Sequence, residues 1–299
     1  MREPVAFSAG TGTPGVALPA GACDCHVHVY DRRYPAAPGA KLLPPDASAH
    51  DYRALQRRLG TTRAVLVTPS TYGTDNRCML DGLAALGPQA RGVAVIGGGE
   101  IDAELQRLHD AGVRGVRLNL SLGVSGTADM LEPLARRIAP LGWHLQLLMA
   151  PELLAAQAGV LRRLPVPLVF DHFGRIAPGA QGQAAHALLL ELLQAGRAWI
   201  KLSGGYIVSA LHTVEDPALD PLAASYLRCA PERVLWGSDW PHATASAGLQ
   251  PMPDDARPDR PPARLDASGL CAAAARAGGQ PAGALRLSPS LNPTGDSFP

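Results

Sequence analysis

Short apolar runs rich in β-branched residues alternate along the chain with longer segments whose apolar residues recur at helical spacing. This alternation is typical of βα units around a parallel sheet. Eight runs predict strands, at residues 23–30, 63–69, 91–98, 113–120, 143–150, 167–174, 198–205 and 233–241. Seven predicted helices separate them, most ending at a glycine suited to a left-handed cap. A strand-first order repeated eight times predicts an α/β fold of the (β/α)8 class, the TIM barrel.

The two ends of the chain depart from this pattern. Residues 1–20, rich in Gly, Ala, Pro and Thr, predict a flexible arm, and the barrel is expected to occupy residues 21–245. Residues 246–299 form a tail rich in Pro and Ala, in which only residues 267–279 look helical. Without an eighth helix one flank of the barrel would be exposed. We therefore expect this tail to be either disordered or the product of a shifted reading frame.

Composition narrows the class of partner. A net charge of +1 without an extended Lys/Arg run argues against nucleic acid or an anionic membrane, and favours a small molecule. No apolar run reaches the roughly 18 residues that cross a bilayer, and the first residues lack the apolar centre of a secretory signal. Five cysteines without a CxxC spacing indicate neither a disulfide framework nor a zinc ribbon. A cytoplasmic protein is expected, and nothing in the pattern indicates an oligomeric state.

Three histidines and one aspartate lie at predicted strand ends. His26 and His28 alternate on the first strand, so both imidazoles are expected to face the barrel interior. His172 ends the sixth strand and Asp239 ends the eighth. Because catalytic groups of TIM barrels lie at the C-terminal ends of the strands, these four residues are predicted to form one catalytic centre.

Further polar residues at strand ends suggest the substrate. Arg117 and Arg175 can each pair with a carboxylate through two parallel hydrogen bonds, although a salt bridge between loops is the alternative. Lys201 adds a third positive contact or pairs with Asp171. Three hydroxyls after the second strand suit a hydroxylated or carboxylated ligand, or else form an ordinary turn; they belong to Ser70, Thr71 and Tyr72. An acidic small molecule is therefore expected.

Five motifs together carry a family resemblance: CDCHVHVYD, LGTTRAVLVTPSTYGTDN, GVRLN, FDHFGR and VLWGSDWPH. Over residues 20–250 the chain resembles the lactonase branch of the amidohydrolase superfamily (amidohydrolase 2 type), which contains 2-pyrone-4,6-dicarboxylate lactonases and galactarolactone isomerases. The resemblance implies that Asp239 is the general base and that His26, His28 and His172 polarise the substrate carbonyl. It favours isomerisation of a carboxylated sugar lactone between its 1,5- and 1,4-forms, with hydrolysis by the same residues as the other outcome.

The middle strands lack residues that bind metal in the superfamily, and this bears on whether the site holds a metal. The superfamily's binuclear centres also use a lysine or carboxylate and a further histidine there, whereas here strand four ends in Arg117 and His144 falls at the entry end of strand five. We therefore expect no cofactor. The alternatives are a hydrolase or decarboxylase with one Zn²⁺ held by His26, His28, His172 and Asp239, and an inactive barrel that only binds ligand.

Overall fold

Eight parallel strands, paired in sequential order, form the centre of the molecule. The structure is a computed structural model that describes residues 4–15, 17–121 and 126–256. The strands are β1 Cys23–Val27, β2 Arg63–Val67, β3 Ala90–Ala94, β4 Val113–Asn119, β5 His144–Leu148, β6 Leu168–Phe170, β7 Ala198–Leu202 and β8 Val234–Trp236. This arrangement confirms the predicted TIM barrel. Most strands are shorter than predicted, because the polar motifs at their C-terminal ends belong to loops.

Helices follow the strands and cover the outside of the barrel. They are α1 Ala49–Leu59, α2 Arg77–Leu86, α3 Asp102–Asp110, α4 Leu131–Ile138, α5 Pro151–Ala156, α6 Ala158–Leu161, α7 Ala184–Gln194, α8 Gly205–Val208, α9 Leu219–Cys229 and α10 Ala243–Ser246. Local sequence sets their ends: α1 begins at a capping box formed by Ser48 and Asp51, and ends at Gly60 with φ +86°. Among the helices so described, none is long and apolar enough to cross a membrane.

The lumen of the barrel is filled in layers. An apolar layer lies inside the strands and consists of Cys23, Cys25, Val65, Val67, Val93, Val169, Trp199 and Leu235. Closer to the C-terminal mouth the inward side chains become polar, and Arg117, Gln146, Asp171 and Lys201 are all buried there. A larger apolar cluster packs between the strands and the helices. The polar layer is therefore enclosed on every side and forms the floor of the catalytic mouth.

A β-bulge in β1 sets the direction of the first-strand histidines. Between Asp24 and Val27 this strand advances by three residues while β2 advances by two. Cys25 and His26, neighbours in sequence, consequently both face the lumen, whereas strict alternation would have placed His26 on the outer face with Asp24. Gly237 makes room for the bulge, since a Cβ at this position would lie 2.7 Å from the His26 Cβ.

Residues after β8 close the barrel against β1. The amide of Asp239 donates to the His26 carbonyl over 2.9 Å, and the amide of His28 donates to the Trp240 carbonyl over 2.8 Å. On the outer face Asp24 accepts hydrogen bonds from both the amide and the hydroxyl of Ser238. The seam between the last and first strands is thus made by the segment that carries the predicted catalytic aspartate.

The described part of the N-terminal arm packs against the barrel, which differs from the predicted flexible arm. The indole of Trp240 donates to the Ala6 carbonyl over 2.9 Å, and Arg58 donates to the Gly12 carbonyl over 2.7 Å. Ala9 is hydrogen-bonded to Pro253. Buried donors on the barrel need acceptors, and the arm supplies them.

The predicted tail can be compared with the structure only in part. Between β8 and residue 256 the chain forms one short helix, α10, and no full eighth helix is found in this stretch. The predicted helical stretch 267–279 lies outside the described residues.

Candidate active site

Four predicted residues meet at the C-terminal mouth. The Asp239 Oδ1 atom lies 3.5 Å from Nε2 of His26, 3.8 Å from Nε2 of His28 and 4.0 Å from Nε2 of His172. His172 and Asp239 lie just beyond their strands with φ of +49° and +68°, conformations that turn their side chains inward over the lumen. The structure therefore brings together one carboxylate and three imidazoles, all of them buried.

The proton on His28 can be assigned from its partner. Its Nδ1 lies 2.7 Å from the carbonyl oxygen of Val67, and a carbonyl only accepts, so Nδ1 carries a hydrogen. Burial, assisted by the charge of Arg117, lowers the pKa of His28 to about 4. At neutral pH the ring is uncharged and Nε2 presents a lone pair to the site. This differs from the expected role of His28, because a neutral ring held in this way cannot donate to a substrate carbonyl.

Lys201 lies in the buried polar layer beneath the site and determines which nitrogen of His26 carries the hydrogen. Its Nζ donates to Gln146 Oε1 over 2.7 Å and to His26 Nδ1 over 3.1 Å, and it forms an ion pair with Asp171 Oδ1 at 3.4 Å. His26 then accepts at Nδ1 and carries its hydrogen on Nε2, which lies 3.2 Å from His28 Nε2. Burial and the Lys201 charge hold the pKa of His26 well below its ordinary value. Lys201 therefore pairs with Asp171, the alternative reading, and stays beneath the substrate space.

Arg117 connects the floor to the open side of the site. Its Nε donates to Asp171 Oδ2 over 3.1 Å, and Gln146 donates to the same oxygen over 3.1 Å. Burial would raise the pKa of Asp171, but His26, Lys201 and Arg117 outweigh it and hold that pKa well below the usual range. Within the described part of the chain, no hydrogen-bond partner is found for the two terminal nitrogens of Arg117. They remain available to a ligand.

A second hydrogen-bonded chain holds the other oxygen of Asp239. The Tyr206 hydroxyl, from α8, donates to Asp239 Oδ2 over 2.5 Å, and His242 Nδ1 lies 3.4 Å from the same hydroxyl. His242 Nε2 in turn lies 3.1 Å from Asp255 Oδ2, and Asp255 raises the pKa of His242 against the effect of burial. Burial would also raise the pKa of Asp239, but the three imidazoles and Tyr206 together hold it below the usual range.

The sequence analysis assigned no role to Tyr206 or to His242. Tyr206 follows two glycines directly after β7, a strand-end position equivalent to those of the predicted catalytic residues. The aromatic ring reads as a core residue in the sequence, and only the fold shows that its hydroxyl reaches Asp239.

The three hydroxyls predicted to contact a ligand form hydrogen bonds within the protein. The Thr71 hydroxyl donates to the Leu42 carbonyl, and the Tyr72 hydroxyl bridges the backbone amide and carbonyl of Asp31. Ser70 Oγ accepts from the Asn119 side chain over 2.8 Å. These contacts fit the alternative of a structured turn and give Thr71 and Tyr72 roles in holding loops. Arg175 is partly buried beside the site, and burial lowers its pKa.

Comparisons with known proteins show what the chain is similar to. A family model described as amidohydrolase matches residues 23–276. The chain belongs to the amidohydrolase family. It is 38% identical over 260 residues to a 2-pyrone-4,6-dicarboxylate hydrolase from Comamonas testosteroni, covering 83% of this chain and 84% of that protein. It is 31% identical to a D-galactarolactone isomerase from Agrobacterium fabrum, covering 86% and 88%. An apo crystal structure from Agrobacterium tumefaciens superposes with a TM-score of 0.75 at 30% identity, covering 84% and 88%.

These matches confirm the resemblance inferred from the motifs. Three side chains of the site are spaced as the ligands of a metal ion would be. The Nε2 atoms of His26 and His28 and Oδ1 of Asp239 are 3.2, 3.5 and 3.8 Å apart, close to the spacing of about 3.3 Å around a tetrahedral zinc ion with ordinary bond lengths. The hydrogen bond from His28 Nδ1 to Val67 orients the ring as in many metal sites. Their spacing suits one ion, which would supply a polarised carbonyl or an activated water, but the Lys201 ammonium holds the His26 hydrogen on Nε2, where a metal would need a lone pair.

Proposed function

We propose that this amidohydrolase hydrolyses a lactone that carries a carboxylate, with Asp239 as the general base. The observation that carries the proposal is the position of Asp239 Oδ1, a carboxylate oxygen that lies 3.8 Å from His28 Nε2 and 4.0 Å from His172 Nε2 at the C-terminal mouth. A water molecule beside this oxygen can donate one hydrogen to it, because a carboxylate only accepts. The identity to a dicarboxylate hydrolase supports the same choice.

In this mechanism Asp239 removes a proton from the water as its oxygen bonds to the lactone carbonyl carbon. The carbonyl oxygen becomes an oxyanion, and donors of hydrogen bonds are needed to stabilise it. His172 Nδ1 lies 3.0 Å from the Ser203 hydroxyl and 3.3 Å from the Ser203 carbonyl oxygen. We take the shorter contact as a hydrogen bond donated by the hydroxyl, which leaves the His172 proton on Nε2, facing the site. One such donor is worth about 3 to 4 kcal/mol in other enzymes.

Collapse of the intermediate breaks the bond from the former carbonyl carbon to the ring oxygen. The departing alkoxide takes the proton from Asp239, which returns the base to its ionised form. The product is a hydroxy acid, and the low pKa of Asp239 keeps the base ready for the next turnover at neutral pH.

The substrate class rests on Arg117. Its Nε is fixed by Asp171, which orients the planar guanidinium, and its terminal nitrogens are open to a ligand. A carboxylate pairs with such a fork through two parallel hydrogen bonds. Lys201, Thr71 and Tyr72 have other partners, so Arg117, Arg175 and Ser70 are the proposed contacts with an acidic lactone.

Isomerisation of a sugar lactone is the second candidate, and the identity to a galactarolactone isomerase favours it. The same residues serve both reactions, because a hydroxyl of the substrate takes the place of water as the attacking group. We place hydrolysis first because the hydrolase is the more similar of these two relatives.

We further propose that the reaction needs no metal. Lys201 donates to His26 Nδ1, and its charge lies directly behind the ring that would bind a cation. That hydrogen bond leaves the His26 hydrogen on Nε2, where a metal would require a lone pair. Elemental analysis of the purified protein and activity after chelation test this point: stoichiometric zinc, with activity lost on its removal, would favour the mononuclear zinc alternative.

The decisive experiment incubates the protein with a panel of carboxylated lactones in water enriched in ¹⁸O. Hydrolysis places one ¹⁸O atom in the product, which mass spectrometry detects. Isomerisation incorporates none and shifts the ring signals in NMR spectra. Asp239→Asn should abolish most of the turnover, whereas Asp110→Asn on the exposed surface of α3 should leave it unchanged. Near-normal turnover by Asp239→Asn would contradict the assigned base, and binding without turnover would indicate an inactive barrel.

A further inference from the structure

The end of the barrel opposite Asp239 carries a group of arginines. One lies within one residue of the start of each of five strands, and they are Arg63, Arg91, Arg114, Arg197 and Arg233. Four of them precede a residue of the apolar lumen layer by two positions, namely Val65, Val93, Trp199 and Leu235. Because side chains alternate along a strand, these four arginines also point toward the lumen. The N-terminal mouth is thus lined with positive charge.

Little acidic charge offsets Arg63, Arg114, Arg197 and Arg233 in the described part of the chain, where burial lowers the pKa of Arg114 and the charge of Asp110 opposes that shift. No ion pair there joins Arg63, Arg114, Arg197 or Arg233 to a carboxylate. Their observed hydrogen bonds go to backbone carbonyls, for example from Arg63 to Gly21 and from Arg197 Nη2 to Leu164. Such bonds satisfy donors but leave the positive charges to repel one another.

Three donors at this mouth also lack an acceptor. Among the described residues, the buried Nε atoms of Arg197 and Arg233 and the Nε1 atom of Trp199 have no hydrogen-bond partner. The pairing of Ile200 with Val234 places Trp199 beside Arg233, whose guanidinium carbon lies 4.2 Å from the centroid of the indole ring. Trp199 is 2% exposed, so its unpaired N–H is costly.

We propose that the N-terminal mouth binds an oxyanion of the phosphate class, between the starts of β7 and β8. Arg197, Trp199 and Arg233 would supply the hydrogen bonds, while Arg63 and Arg114 add to the attractive field. Arginine and tryptophan N–H groups only donate, so the ligand must accept. Water would supply acceptors without charge, whereas an oxyanion supplies both. A tetrahedral anion presents oxygens to donors that come from two strands, which a planar carboxylate does less well.

This site is separate from the lactone chemistry at the other mouth and does not depend on it. Calorimetric titration of the full chain with inorganic phosphate, and with pyrophosphate, at an ionic strength held constant with sodium chloride tests the proposal. One phosphate is expected to bind per chain. Arg233→Gln should weaken binding about tenfold or more, since hydrogen bonds to charged groups are among the strongest. Arg136→Gln, on the exposed face of α4, should bind as the unaltered protein does.

Two further variants separate the outcomes. Arg117→Gln removes the anion contact of the candidate active site, so phosphate binding that survives in Arg117→Gln and is lost in Arg233→Gln supports the N-terminal mouth. The opposite pattern, or no binding by the unaltered protein, overturns the proposal. Trp199→Phe keeps the charge but removes one donor, and should weaken binding several-fold even where Arg233→Gln fails to fold. Unchanged affinity in Trp199→Phe and Arg233→Gln also overturns it.

Discussion

Gly237→Ala tests the link between the β1 bulge and the catalytic centre. The added Cβ would lie 2.7 Å from the His26 Cβ and 2.9 Å from the His26 amide nitrogen. Carbon atoms in contact normally lie about 3.5 to 4.0 Å apart, so the two segments must separate by about 1 Å. The atoms that the new Cβ would meet belong to the backbone and Cβ of His26, so no side-chain rotation can move them away. We expect a loss of about 1 to 3 kcal/mol in the free energy of unfolding.

For a domain of this size that loss lowers the Tm by about 2 to 12 °C. The displaced strand carries His26, and an error of about 1 Å in a catalytic group costs roughly 100-fold in rate. Thermal unfolding followed by circular dichroism gives the first quantity, and kcat on the lactone identified by the panel gives the second. Gly99→Ala is the matched control, because no heavy atom lies within 4 Å of its added Cβ. A Gly237→Ala protein with unaltered Tm and kcat would refute the close approach, and a lowered Tm with unaltered kcat would refute its role in placing His26.

Three other substitutions probe the site. Asp239→Asn should lower kcat by about 10² to 10⁴ with a small change in KM, and a selective rise in KM would instead make Asp239 a binding residue. Tyr206→Phe removes a hydrogen bond that lowers the pKa of Asp239, so the acid limb of the kcat/KM profile should move to higher pH; an unmoved limb would show that Tyr206 does not influence the base. Lys201→Met leaves Asp171 buried with one cation fewer and should cost about 3 to 5 kcal/mol in urea unfolding. A loss below 1 kcal/mol would mean that Arg117 and His26 alone stabilise Asp171.

The sequence predicted the barrel and the four residues that meet at its C-terminal mouth because both depend on local patterns. Apolar runs mark strands, and polar residues that follow such runs mark the C-terminal ends of a parallel barrel. The inward direction of His26 was also predicted, but from strict alternation, which the bulge in β1 breaks. The bulge depends on the fit against Gly237, which follows β8 and is distant from β1 in the sequence, and no local pattern reports such a fit.

Which groups of the site donate hydrogen bonds and which accept them could not be predicted from the sequence, for the same reason. His28 is fixed as a lone-pair acceptor by the Val67 carbonyl, and Lys201 is drawn into the floor by Asp171 and Gln146. Val67 comes from β2, Gln146 from β5 and Asp171 from the end of β6, so these distances exist only in the closed barrel. The packing of the N-terminal arm was missed because a segment of small residues contributes backbone carbonyls rather than side chains.

Residues 239 and 240 close the barrel against β1, so the proposed catalysis depends on this single joint between the segment after β8 and the first strand. Two backbone hydrogen bonds form that joint, and both lie beside the proposed base and the histidines that it faces. Fraying there would move the carboxylate away from these histidines while the seven strand pairings from β1 to β8 remained intact. On heating, activity should then be lost at a lower temperature than the fold. Phe7 and Tyr52, which pack against Trp240, should contribute more to the retention of activity than to the stability of the whole barrel.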